Sequence, residues 1–240
     1  MRSGKTIQLQ PVGLPPKLFV ICGTRVEVFD LRGAQMLGRP SRSGIPHIPV
    51  SQKVVSRNHG SFLTTNGQTF YTDTASTNGT MYNGMMLPPA VRQPLYDGDV
   101  LRIHGRDDPM NKLDVILIYS TSYQPEALWD HLPLGNYVNQ LTIGREGSIN
   151  LNHPAVSRIH ASFYRANGNW AVCDHESRNG VRINNHPMSR PVYLKPMDVI
   201  NIAGYFFLFT GHMLVYQSDL VSNDASTMPM CTDDLYPQWR

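Results

Sequence analysis

Short runs of β-branched and aromatic residues, broken by glycine and asparagine, fill this chain of 240 residues. KLFVICGTRVEVFDL holds two such runs, parted at Gly23. GSFLTTNGQTFYTD holds two more around Asn66-Gly67, and ASFYRANGNWAVCD repeats the arrangement around Asn167-Gly168. An Asn-Gly pair between strand-like runs predicts a tight hairpin, because both residues accept positive φ. DVLRIHG and DVINIAG read as a matched pair of later strands. VILIYS closes one half of the chain, and YFFLFTG followed by LVYQ closes the other. No window has the apolar spacing of an amphipathic helix of useful length. EALWDHL reads either as a turn or two of helix or as the opening strand of the second half. The pattern predicts an all-β protein.

The strand pattern occurs twice, and so do the turns. LGR, VVSRNHGSF and DTASTNGTMYNG in the first half correspond to IGR, AVSRIHASF and DHESRNGVRINN in the second. Ser56, Asp73 and Asn78 have the same mutual spacing as Ser157, Asp174 and Asn179. A repeat of this length predicts two consecutive β-sandwiches, each large enough for its own core. We place the first domain at 14–122 and the second at 123–218, with the join near TSYQPEALW. The polar segment 219–240 is expected to be an irregular tail, and its end at YPQWR reads as a cut edge.

Composition narrows the functional classes. Apolar residues at 41% against 16% charged residues describe a folded chain, not a disordered one. A net charge of +3 without a dense Lys/Arg stripe argues against a nucleic-acid partner. Cys22, Cys173 and Cys231 are odd in number and scattered, which fits reduced thiols in a cytoplasmic protein better than disulfides or zinc. No apolar run is long enough to insert this segment into a membrane, and the N-terminus lacks the apolar stretch of a signal peptide.

The repeated turns carry the chemistry. Each copy has a Gly-Arg pair (Gly38-Arg39 and Gly144-Arg145) and a Ser-Arg-x-His run (Ser56, Arg57 and His59; Ser157, Arg158 and His160). Each also has an Asp (Asp73, Asp174) and a Ser-x-Asn-Gly run (Thr77, Asn78 and Gly79; Arg178, Asn179 and Gly180). A phosphomonoester presents close to two negative charges and three acceptor oxygens. Guanidinium groups match it with paired planar donors, and a hydroxyl adds a compact one. An asparagine can hold an extended peptide through both ends of its amide, and the glycine after it lets the turn take positive φ. Arg39, Ser56 and Arg57 are the phosphate-binding candidates of the first copy. Arg145, Ser157 and Arg158 are those of the second. Thr77, Asn78, Arg178 and Asn179 are the peptide-binding candidates.

The combination G-R, S-R-x-H and S-x-N-G resembles the forkhead-associated (FHA) family, twice over. The resemblance implies two FHA-type β-sandwiches of about eleven strands each, whose apical loops read phosphothreonine peptides. It also implies a structural role for His59 and His160, and for Gly38, Gly79, Gly144 and Gly180. The function implied is a non-catalytic tandem module that recruits a phosphothreonine-containing partner, with no cofactor and no metal. Two departures stand out. The stretch SRSGIPHIPVSQKVV between Arg39 and Ser56 is longer than its counterpart, so it can reshape or shield the first groove. Arg178 replaces Thr77, adding charge beside the phosphate or pairing with Glu176 or Asp174. On these grounds the second site is expected to be the more competent.

A repeated Ser, His and Asp also invites a hydrolase reading. The chain has no strand–turn–helix nucleophile motif, and arginines flank the serine, which suits an anion better than an acyl group. Catalysis is therefore not expected. The remaining alternative is a phosphorylation-independent assembly module of a larger membrane-associated complex. Tandem modules of this kind sit on the cytoplasmic side of type VII secretion ATPases and of some transporters.

Overall fold

The computed structural model of the protein describes residues 14–42, 44–105, 113–121, 128–135 and 140–219. The expected tail beyond residue 219, most of the expected join and Cys231 lie outside these residues. Twenty-two strands and no helix occur among the described residues. The first eleven are β1 (Lys17–Cys22), β2 (Arg25–Asp30), β3 (Gly33–Gly38), β4 (Ile48–Pro49), β5 (Gly60–Thr65), β6 (Gln68–Asp73), β7 (Met81–Tyr82), β8 (Met85–Met86), β9 (Gln93–Pro94), β10 (Val100–Ile103) and β11 (Val115–Ser120). The second eleven are β12 (Leu128–Pro133), β13 (Gln140–Gly144), β14 (Ile149–Asn150), β15 (Ala161–Ala166), β16 (Asn169–Asp174), β17 (Val181–Ile183), β18 (His186–Pro187), β19 (Val192–Tyr193), β20 (Asp198–Ile202), β21 (Tyr205–Phe209) and β22 (Met213–Ser218). The described part of EALWDHL, from Leu128 on, lies in strand β12.

Each half is a sandwich of a five-stranded and a six-stranded sheet. The five-stranded sheets run β4-β3-β5-β6-β9 and β14-β13-β15-β16-β19. The six-stranded sheets run β2-β1-β11-β10-β7-β8 and β12-β22-β21-β20-β17-β18. Both Asn-Gly pairs form the tight turns that their residues favour, with Asn66 at φ 50 and Asn167 at φ 52.

The central strands of the six-stranded sheets, β1 and β11 in one and β21 and β22 in the other, are buried on both faces, which explains why they read as nearly unbroken apolar runs. Leu18 and Val20 on β1, with Leu117 and Tyr119 on β11, enter the core of the first sandwich. Tyr205, Phe207 and Phe209 on β21 enter that of the second. The alternate residues build a third core shared by the two halves: Phe19, Ile116, Ile118 and Val100 meet Val199, Phe206, Leu208 and Val215. Phe19 lies 5.9 Å from Phe206 and 5.5 Å, edge-on, from Trp129 of β12. The Asn185 amide adds a hydrogen bond to Asp99 across the junction at 2.6 Å. Four sheets thus stack in sequence around three apolar layers.

The second sandwich is wired differently from the first. In the first, β1 precedes β2 in the chain and lies between β2 and β11. In the second, the strand between β12 and β21 is β22, which comes last. The pairing is antiparallel on both sides in each case, and the backbone bond that closes the strand's start is kept. Leu31 N donates to Pro16 O before β1, and Leu134 N donates to His212 O before β22. β22 therefore occupies the place of β1, and β12 that of β2: the second domain is a circular permutant of the first.

Candidate functional site

Three turns of each five-stranded sheet converge at one end of its sandwich. Gly38 ends β3 and Gly144 ends its counterpart β13. A Cβ at Gly38 would lie 2.0 Å from Arg57 O, and one at Gly144 would lie 2.1 Å from Arg158 O. Only glycine lets the Ser-Arg turn pass this closely. Across that approach Arg39 N donates to Ser56 O at 2.9 Å, and Arg145 N donates to Ser157 O at 3.1 Å. The arginine of the first turn and the serine of the second are neighbours by construction.

The third turn is tied to the second by matching bonds. Thr77 N donates to Ser56 Oγ at 3.0 Å, and Arg178 N to Ser157 Oγ at 3.2 Å. Asn78 Nδ2 donates to Val54 O at 2.8 Å, and Asn179 Nδ2 to Ala155 O at 2.6 Å. One end of each amide is thus spent inside the protein. The Asn carbonyl oxygens accept no hydrogen bond among the described residues and remain available to a peptide N–H. Ala75 and Glu176, one residue before the Ser-x-Asn-Gly run, both take positive φ, 59° and 52°. Such strain in a non-glycine residue is concentrated at working loops.

Behind the turns each histidine is fully buried. Nδ1 of His59 accepts from Ser56 N, and Nδ1 of His160 accepts from Ser157 N, both at 3.1 Å. Nε2 therefore carries the hydrogen. In the second copy it donates to Gly180 O at 3.2 Å, and in the first it faces the Thr80 and Ser76 hydroxyls, each at 3.2 Å. Burial holds both imidazoles below the usual histidine pKa, so they are neutral braces. Asp73 and Asp174 serve the turns: Ser76 N and Ser177 N donate to them at 2.8 and 2.9 Å. No cluster of His, Cys, Asp or Glu suited to a metal ion occurs among the described residues.

The sequence motifs and this geometry coincide with the FHA domain, whose family pattern matches residues 36–104 and 141–203, more than half of the chain. The chain belongs to the FHA family. Among solved structures, yeast Pml1p is similar at 24% identity over 44% of this chain and 80% of its own, with a TM-score of 0.37. The FHA domain of an Arabidopsis thaliana hypothetical protein is similar at 19% identity over 51% of this chain and 97% of its own, with a TM-score of 0.37. An FHA domain solved in a study of phosphothreonine-dependent FHA domain interactions is similar at 23% identity over 46% of this chain and 97% of its own, with a TM-score of 0.35. Among curated proteins, no sequence matches the chain significantly.

The two FHA sites differ in how far their polar groups are already committed. In the first, Arg39 is half-buried and its Nε donates to Val55 O at 3.2 Å. The Ser56 hydroxyl donates to Thr77 Oγ1 at 3.2 Å. In the second, Arg145 is exposed, and neither its guanidinium nor the hydrogen of the Ser157 hydroxyl is engaged among the described residues. Arg158 and Arg178 are exposed beside them, and Arg178 forms no ion pair with Glu176 or Asp174 among the described residues. The long stretch after Arg39 folds into a small turn closed between Ser41 and Gly44, then rejoins the common path as β4. It ends with Val54 and Val55 buried in the core.

Ser76 and Ser177, which open the Ser-x-Asn-Gly runs, and Thr80, which lies in no motif, support the turns. Ser76 and Ser177 each accept from the glycine amide three residues on, at 3.0 and 3.1 Å. Thr80 bonds to Asp73 at 2.7 Å and to the Tyr71 hydroxyl at 2.8 Å. In the second domain Val181, Val172 and Ala161 stand where the first has Thr80, Tyr71 and Gly60. The Tyr71 ring requires that glycine, since a Cβ at Gly60 would lie 2.3 Å from its hydroxyl. Comparing the two halves position by position would have exposed this set.

Proposed function

We infer that the chain is a tandem phosphothreonine-peptide reader with one site on each domain, 14–122 and 123–218, which recruits a phosphorylated partner and catalyses nothing itself. The observation that carries the reading is the duplicated convergence: arginine beside serine, serine bonded to the next turn, and the asparagine carbonyl free at the rim. Such a cradle suits a dianion, because guanidinium groups and a hydroxyl meet it from separate turns held rigid by the sandwich. The second domain is the stronger site in this reading, since the Arg145 guanidinium, Arg178 and the hydrogen of the Ser157 hydroxyl are uncommitted, where Arg39 and the Ser56 hydroxyl are engaged. The shared apolar core fixes the two sites relative to each other, so a doubly phosphorylated partner gains affinity from binding both.

Calorimetry with phosphothreonine, phosphoserine and plain threonine peptides tests this. The phosphothreonine peptide is expected to bind, the plain peptide not. Arg145→Ala is expected to cost about 2–5 kcal/mol at the second site, the range for removing one partner of a bound charge pair. Equal affinity for phosphorylated and plain peptides sinks the reading. In that case an assembly module is favoured, to which the internal commitment of Arg39 and Ser56 already points for the first domain.

A further inference from the structure

The first FHA domain contains a cavity of about 380 Å³ between β1, β2 and the segment that follows β4. Its walls include Val20 and Cys22 of β1, Glu27 of β2, and Val50, Ser51 and Gln52 beyond β4. The volume is that of a small ligand site, and its wall is half apolar and half polar. The second domain shows what belongs in this space. Val20 lies opposite Glu27 on one neighbouring strand and Leu117 on the other. Tyr216 lies opposite Asp130 and Phe207 in the same way, so Tyr216 is the counterpart of Val20 and Asp130 that of Glu27. The Tyr216 ring stacks on Phe207 at 5.9 Å with an interplanar angle of 5°. Its hydroxyl donates to Asp130 Oδ2 at 3.4 Å. Where the second domain has a buried phenol bonded to a carboxylate, the first has the carboxylate, a valine and an empty space.

We propose that this cavity is a binding site for a phenol ring, with the ring on the Val20 and Val50 floor and the hydroxyl donating to Glu27. Arg25, which also lines the cavity, pairs with Glu27 and orients that carboxylate. The second domain cannot hold the same ligand, because its own tyrosine occupies the place. None of the lining residues is among the phosphate- or peptide-binding candidates, and the proposal does not depend on what those bind.

The test is a methyl NMR titration of the full chain, following Val20 and Val50 with p-cresol, toluene and N-acetyl-tyrosinamide as probes. p-Cresol is expected to give saturable shifts at millimolar concentration and to bind about five-fold more tightly than toluene, the worth of one hydrogen bond. Glu27→Met, at a partly exposed position, is expected to erase that preference while leaving toluene unchanged. Val20→Tyr is expected to abolish binding by filling the space from within. Binding of N-acetyl-tyrosinamide identifies the natural occupant as a tyrosine of a polypeptide, and binding of p-cresol alone identifies it as a free phenol. No saturable shift with either phenol, equal affinity for p-cresol and toluene, or undiminished binding to a folded Val20→Tyr variant would overturn the proposal.

Discussion

In the first FHA domain Asp73 is buried and accepts from three groups, Ser76 N, Ser76 Oγ and Thr80 Oγ1. In the second domain Asp174 is half-buried and accepts from Ser177 N, with valines where the first has Thr80 and Tyr71. Yet the bonds that shape the apical turns are the same in both. The comparison teaches that the geometry of the apical turns is set by the short list of turn contacts, while the layer beneath is free to be polar or apolar. A polar layer is stable only if every member is satisfied, and an apolar one only if it fills the space. The first domain solved the former problem and left a cavity elsewhere. The second solved the latter and filled the equivalent place with Tyr216.

What the domains share most directly is the core between them, and breaking it gives the largest expected effect. Phe19→Ala is expected to cost about 3–5 kcal/mol, because the ring is buried against Phe206 and Trp129 and its neighbours can close only part of the space. In calorimetry the domains are then expected to unfold in two transitions in place of one. A loss under about 1 kcal/mol, with one transition retained, would show that the halves are independently stable and merely adjacent.

The supporting layers come next. Asp73→Asn is expected to cost about 3 kcal/mol, since it weakens charge-assisted bonds to buried hydroxyls, whereas Asp174→Asn is expected to cost about 1 kcal/mol. Chemical denaturation of each variant measures both. Equal losses would mean that the buried network of the first domain contributes nothing beyond the single turn bond that both domains keep.

Much of this was legible beforehand, for a definite reason. The hairpins at Asn66-Gly67 and Asn167-Gly168 and the three site turns are local, so their residues announce them. The shared core was not legible, because Phe19, Ile116 and Phe206 lie in runs that are apolar at every position, and no alternation says which face meets which partner. Permutation was hidden for a related reason. LVYQ reads as a closing strand whether it sits beside β21 alone or also replaces an opening strand, and only pairing with β12 decides. The inward bond of Asn78 and Asn179 was not visible: the residue type suggests a peptide contact, and the loop carbonyl that takes Nδ2 is distant in the chain.

Acid sharpens the comparison from another side. His59 and His160 are both held below the usual histidine value, chiefly by burial, with Asp73 the second influence on His59 and opposing it. The unfolded chain therefore takes up protons before the folded one does. The stability these histidines contribute is complete above about pH 6.5 and is lost as pH falls below it toward the folded values. Imidazole resonances titrating at or above pH 6.5 in either domain would contradict the neutral-brace assignment.

The smallest effect separates the two sites by charge alone. Glu146 follows Arg145 in the second domain and is exposed, whereas Pro40 follows Arg39 in the first. Its amide donates to Arg158 O at 2.9 Å, which keeps this part of the backbone against the turn that carries the candidate serine. A carboxylate there repels a phosphate dianion through solvent. Glu146→Gln is therefore expected to raise phosphopeptide affinity about two-fold at low ionic strength, fading in molar salt where the screening length falls to about 3 Å. The first site, which has no such carboxylate at the corresponding position, should be unmoved by the same substitution. A two-fold gain that persists in high salt would have to come from loop geometry, and would place Glu146 among the residues that shape the second cradle instead of those that merely tune its field.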